Sequence, residues 1–121
     1  MIIVKTVFRL LPGQTDAIAA RMQSLMEKRR ASQPLELPSA GSTFKRPEGA
    51  YAGALIEQAG LKGYRVGDAQ VSEMHAGFVI NRGHATSSEI YRLMQEVQCR
   101  VQAQFGVTLE PEVRLIGHFE A

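Results

Sequence analysis

At 121 residues the chain has room for one modest core, burying about two thirds of the surface that its unfolded form exposes. Its 45% hydrophobic and 21% charged content is that of an ordinary globular domain and excludes a disordered, collagenous or repeat chain. Fourteen Lys and Arg against twelve Asp and Glu leave a net charge of +2, too small to mark nucleic acid as the partner. No apolar run approaches the ~20 residues of a membrane span, and Met1 leads into no charged n-region with a cleavage site, so a cytoplasmic address is expected.

Ile2 to Leu11 (IIVKTVFRLL) sets Val4 and Phe8 against Lys5 and Arg9, which predicts a strand with one buried face, broken by Pro12-Gly13. Thr15 serves as an N-cap and Asp16 suits the positive end of a helix dipole. Ile18, Met22, Leu25 and Met26 then recur at helical spacing to about Arg30. From Ser32 to Gly49 the periodicity disappears, and Pro34, Pro38 and Pro47 predict an irregular, functional loop that also serves as a hinge. A short helix is expected over Ala52 to Ala59, stopped by Gly60 in a left-handed conformation.

Tyr64 to Val71 and Gly77 to Asn81 read as two short strands. Thr86-Ser87-Ser88-Glu89 is a capping box opening the clearest helix, whose buried face is Ile90, Leu93, Met94, Val97 and Val101 and whose end is near Phe105-Gly106. Thr108 to Ile116 is expected to return as a final strand. These elements predict an α+β fold, a small sheet packed against helices, with the strand order left open. The lone Cys99 falls inside the helical pattern, as a small half-buried residue without catalytic or redox duty.

In the loop, Ser39 to Arg46 (SAGSTFKR) offers a glycine, hydroxyls and two cations, a grip for a phosphorylated or carboxylated small molecule; a plain turn with exposed charges has the same composition. There is no GxxxxGK[ST] and no GxGxxG, so the chain itself carries no nucleotide or dinucleotide fingerprint. His75, His84 and His118 are not spaced as metal ligands and serve no GxSxG elbow. His84 and His118 read as surface residues, whereas His75 suits a binding contact and a structural hydrogen bond equally. Glu110 and Glu112 stand two apart and would share a face of an extended strand, as an acid and its support or as two solvated carboxylates.

Three blocks, PSAGSTFKRP, AGALIEQAGLKGYRVGDAQVSEMHAGFVINRG and FGVTLEPEVRLIG, resemble successive signatures of the C-terminal domains of UDP-N-acetylenolpyruvoylglucosamine reductases (the MurB family), across roughly Gln33 to Gly117. The stretch before them resembles that family's last flavin-region strand and the helix leading onward. The resemblance therefore implies an N-terminal strand and helix over 1–31, left from the flavin-binding region, and a substrate-binding domain over 32–121. It implies a reductase of peptidoglycan biosynthesis in which FAD, reduced by NADPH, passes hydride to UDP-N-acetylglucosamine enolpyruvate.

By the same matching Ser42 is the proton donor and Glu112 its partner near the substrate carboxylate. Arg46, with Lys45, would contact the diphosphate, His75 the substrate, and Arg30, placed by its distance from Ser42, would join them. Ala54 and Met74 stand where the family pattern has lysine, and Asp68 where glycine is frequent. The flavin segments and an arginine of the active site would precede Met1, so this chain alone is expected neither to bind FAD nor to turn over. Surfaces left by the missing half invite dimerisation through the N-terminal arm. The alternatives are a non-catalytic nucleotide-sugar-binding module and a structural module.

Overall fold

In the computed structural model, residues 2–119 are described. The chain divides into two compact units, Met1–Ala31 and Ser32–Ala121. In the first, the expected strand over Ile2 to Leu11 does not form: the segment has no ladder partner, and its Val4, Phe8 and Leu11 side chains are 91%, 77% and 93% exposed. Alternating side chains give a strand only when another strand takes up the backbone N–H and C=O groups, and this unit supplies none. Helix α1 (Thr15–Ser32) has Asp16 in its first turn and Arg29 and Arg30 in its last, so both ends complement the helix dipole. Thr15 lies inside the helix, and the first turn closes from Ile18 N–H to Gln14 O at 3.0 Å. No residue of α1 is buried.

The second unit holds β1 (Ser39–Ser42), α2 (Ala52–Gln58), β2 (Arg65–Val66), β3 (Ala69–Val71), β4 (Phe78–Asn81) and α3 (Ser87–Phe105). One antiparallel sheet results, in the order β1-β4-β3-β2. It is the expected α+β arrangement, with α3 packed against β2, β3 and α2. Strand β1 lies inside the stretch expected to be irregular, and its pairing with β4 slips between Ser39 and Ser42. The single strand expected over Tyr64 to Val71 is instead a hairpin: Val66 faces Ala69 across a two-residue loop, and Gly67 opens that loop at φ 56°, where other residues are strained.

Helix α3 follows its sequence closely. Thr86 Oγ1 accepts from Glu89 N–H at 3.2 Å and Glu89 Oε2 from Thr86 N–H at 2.8 Å, completing the capping box. Leu93, Met94, Val97 and Val101 are buried, Ile90 is half-buried, and Gly106 ends the helix in the left-handed region. With Ile56, Leu61, Val71 and Leu109 this face makes the core. Gly60, at φ 72°, closes α2 as expected. Cys99 is exposed rather than half-buried, because it lies off the Leu93-Val97-Val101 stripe.

The expected strand over Thr108 to Ile116 is reduced to one bridge between Phe44 and Pro111. Around it Lys45 N–H donates to Glu110 O at 2.8 Å and Glu112 N–H to Thr43 O at 2.9 Å. Pro111 has no N–H to extend a ladder, and the chain beyond leaves Ile116 89% exposed. Among the described residues no helix is long and apolar enough to cross a membrane.

Thr43 joins these pieces. It is buried, its N–H donates to Gly77 O at 2.9 Å, and its Oγ1 accepts from Val79 N–H at 3.0 Å, where β1 has slipped out of register. Thr43→Val keeps the shape but strands that buried donor, so it should cost about 1–3 kcal/mol of stability. Thr43→Ser, which retains the hydroxyl, should cost less than Thr43→Val. Urea unfolding of the two variants checks this ordering, and an unchanged midpoint for Thr43→Val would contradict it.

Candidate functional site

Three backbone pieces converge on one side of the second unit: the segment leaving β1, the start of α2, and the turn before β4. Between them lies an open cleft of about 490 Å³, within the usual range for a single small-molecule ligand. Ser42, Arg46, His75 and Glu112 all line it, although they come from distant parts of the sequence. Ser42 ends β1. Glu112 is brought alongside by the hydrogen bond from its N–H to Thr43 O, so the strapping that replaces the final strand also sets the carboxylate beside the serine's segment.

His75 is held by its own loop. Its N–H and that of Met74 both donate to the buried Ser72 Oγ at 3.2 Å, and its Nδ1 accepts from Gly77 N–H at 3.1 Å. The ring meets Phe78 edge-on at 4.9 Å. With Nδ1 an acceptor, a neutral ring carries its hydrogen on Nε2, and no protein group among the described residues accepts it. The equal choice that the sequence left for His75 is thus answered on the structural side by Nδ1, while its ring lines the cleft. Gly53 permits this closeness: a Cβ there would stand 3.2 Å from Gly77 N and 3.3 Å from His75 Cε1, so a side chain would crowd the histidine loop.

The two cations of the loop have different fates. Lys45 is paired with Glu110 and does not line the cleft. Arg46 lines it, and its guanidinium carbon lies 4.0 Å from the centroid of the Tyr51 ring. Among the described residues no carboxylate or carbonyl accepts from Arg46, so its five donors are available to a ligand. The two glutamates divide in the same way, Glu110 to Lys45 and Glu112 to the cleft. Arg30 lies in the last turn of α1, in the first unit.

Sequence reasoning passed over Tyr51 and Glu57, which also line the cleft; Glu57 is held by Lys62 at 2.7 Å. The signal for Tyr51 was present in Pro47-Glu48-Gly49, a turn that returns the chain past Arg46. Ala54 and Met74, two of the three departures from the family pattern, line the same cleft, which leaves Arg46 as its one fixed cation among the described residues. Asp68, the third, is absorbed structurally: its carboxylate accepts from Arg65 at 3.1 Å and from His84 N–H at 2.9 Å. His84 and His118 are exposed. No group of three His, Cys, Asp or Glu among the described residues is placed to hold a metal ion.

A second groove, of about 380 Å³, runs past Ser39, Val79, Tyr91, Leu115 and Phe119. No charged side chain lines it, so it offers an anion no cation.

Comparison with known proteins agrees with this geometry. Residues 33–116 match the family model of the UDP-N-acetylenolpyruvoylglucosamine reductase C-terminal domain. The reductase of that name from Agathobacter rectalis is 57% identical over 118 residues, which is 98% of this chain and 38% of the relative. The one from Lachnoclostridium phytofermentans is 55% identical, over 95% of this chain and 37% of the relative. The solved structure of the Thermus caldophilus enzyme (MurB) superposes with a TM-score of 0.68 at 38% identity, covering 86% of this chain and 37% of that one. The chain thus spans a little over a third of the length of the relatives it matches. On this similarity in sequence and in fold, the chain belongs to the UDP-N-acetylenolpyruvoylglucosamine reductase family, matching its C-terminal domain.

Proposed function

We propose that this chain is the substrate-binding part of a cytoplasmic reductase that converts UDP-N-acetylglucosamine enolpyruvate to UDP-N-acetylmuramate in peptidoglycan biosynthesis. The observation that carries the reading is the convergence of Ser42, Arg46, His75 and Glu112 on one cleft. In this reading Arg46 takes the diphosphate through charge-assisted hydrogen bonds, and the Nε2–H of His75 donates to the substrate. Ser42 delivers a proton to the carbon next to the one that receives hydride, and Glu112 stands by the substrate carboxylate. A neutral serine is a weak acid, so that step needs a strongly basic intermediate and a cation to steady the alkoxide left behind.

FAD and NADPH supply the hydride in the whole enzyme. In this reading FAD is bound by the parts of the relatives outside the matched third, and the chain by itself is expected to recognise substrate without turning it over.

Calorimetric titration of the chain with UDP-N-acetylglucosamine enolpyruvate tests the site. Arg46→Ala should weaken saturable binding by about 1.5–3 kcal/mol, roughly ten- to a hundredfold. Lys45→Ala, whose cation is already engaged by Glu110, should cost much less. Equal affinities for Arg46→Ala and the unaltered chain would remove Arg46 from the site.

The same reading assigns self-association to the first unit, where Val4, Phe8, Leu11 and Met22 are all more than half exposed. Apolar side chains exposed on an unpaired segment and on a helix favour pairing with a second copy. Light scattering during size exclusion should show a dimer that grows with concentration; a strictly monomeric chain at high concentration would contradict this.

A further inference from the structure

We infer that Tyr51 is a positioning residue that holds the Arg46 guanidinium ready for a planar, bidentate anion; the inference rests on the reading of the cleft given above. Arg46 and Tyr51 flank a tight turn in which Ala50 N–H donates to Pro47 O at 3.4 Å. Gly49, third in that turn, sits at φ 71°, the left-handed value that a type II turn requires there. The turn returns the chain on itself and lays the guanidinium carbon 4.0 Å from the ring centroid.

No other contact among the described residues accounts for the aromatic. Tyr51 is 62% exposed and contributes nothing to the core cluster. It stands at the N-cap of α2 but makes no side-chain capping bond, and its hydroxyl takes no partner among the described residues. A guanidinium lying over a ring keeps its N–H groups, which point outward in its own plane, for another acceptor. The molecule contains its own contrast in Arg100, which lies 4.2 Å from the Tyr64 centroid. That arginine also donates to Tyr64 Oη at 3.0 Å and stands 3.7 Å from Glu96, so its charge is spent within the protein. Among the described residues only Arg46 lies over a ring with its donors left open, on the wall of a cleft.

Stacking restricts a side chain that would otherwise lose its rotamer freedom on binding, and so moves that cost from the binding step to folding. The guanidinium then presents a fixed fork, which a diphosphate can meet with two oxygens.

The test titrates UDP into the full 121-residue chain and into Tyr51→Phe, Tyr51→Leu, Arg46→Ala and the Arg46→Ala/Tyr51→Leu double variant. Tyr51→Phe should bind like the unaltered chain. Tyr51→Leu, similar in bulk but without a ring, should bind about two- to fivefold more weakly, as expected for an exposed cation–π contact, with unchanged thermal unfolding. In the Arg46→Ala background Tyr51→Leu should cause no further loss. The Arg46 Nε–Hε resonance of the free chain should carry a ring-current shift that persists in Tyr51→Phe and vanishes in Tyr51→Leu. If Arg46→Ala weakens binding while Tyr51→Leu does not, Tyr51 is no positioning residue and the site reading stands. A loss on Tyr51→Leu that persists without Arg46 would overturn the assignment in favour of direct contact between ring and ligand. No saturable UDP binding by the unaltered chain, or binding indifferent to Arg46→Ala, would overturn the site reading and this assignment with it.

Discussion

The cleft depends on how one buried residue, Thr43, spends its hydrogen bonds. Its N–H goes to Gly77, its hydroxyl to Val79 and its carbonyl to Glu112, so three segments distant in sequence are fixed to one point. A buried backbone must place every donor and acceptor. Here that requirement, rather than a regular ladder, brings the end of β1, the histidine loop and the glutamate segment together. The register slip in β1 is what frees the Val79 N–H for a side-chain acceptor. Irregularity at this spot is the means by which the sheet edge becomes a wall of the cleft.

Once the backbone is set, local pairing sorts the charges. Lys45 and Glu110 neutralise each other at the surface, and Glu57 is met by Lys62. Arg46 has only an aromatic face beside it. An unpaired guanidinium in a concave site awaits an anion, and the apolar second groove has no counterpart to it. The chemical reading of the cleft therefore rests on which charges are left over, and composition alone does not reveal that: the net charge of +2 is unremarkable, while the cleft's one open cation is decisive.

Much of this is legible in the sequence. The capping box at Thr86 and Glu89, the stripe from Ile90 to Val101 and the stop at Gly106 are local signals, and α3 obeys them because its partners lie on one face. The two predicted strands at the chain's ends failed for one shared reason: alternation and apolar content describe a strand's faces but not its neighbour. Ile2 to Leu11 has no partner within its unit, and Pro111 denies one to the segment after Thr108. The hairpin at Gly67 was hidden because Val66 and Ala69 continue the apolar run across the turn. As for the site, the resemblance of three blocks named Ser42, Arg46, His75 and Glu112, and the fold brings these four to one cleft. What the blocks did not reveal was the division of labour between Lys45 and Arg46, nor the platform at Tyr51, since both depend on which side chain turns toward which.

The most direct measurement is a structure of the chain with UDP-N-acetylglucosamine enolpyruvate bound, by crystallography or by amide shift mapping. The account predicts the diphosphate against Arg46 and the enolpyruvyl group between Ser42 and Glu112, with the largest amide shifts at Ser42, Gly53 and Gly77. Ligand density or shifts concentrated in the groove beside Ser39, Tyr91 and Phe119, with the Arg46 cleft unperturbed, would contradict it.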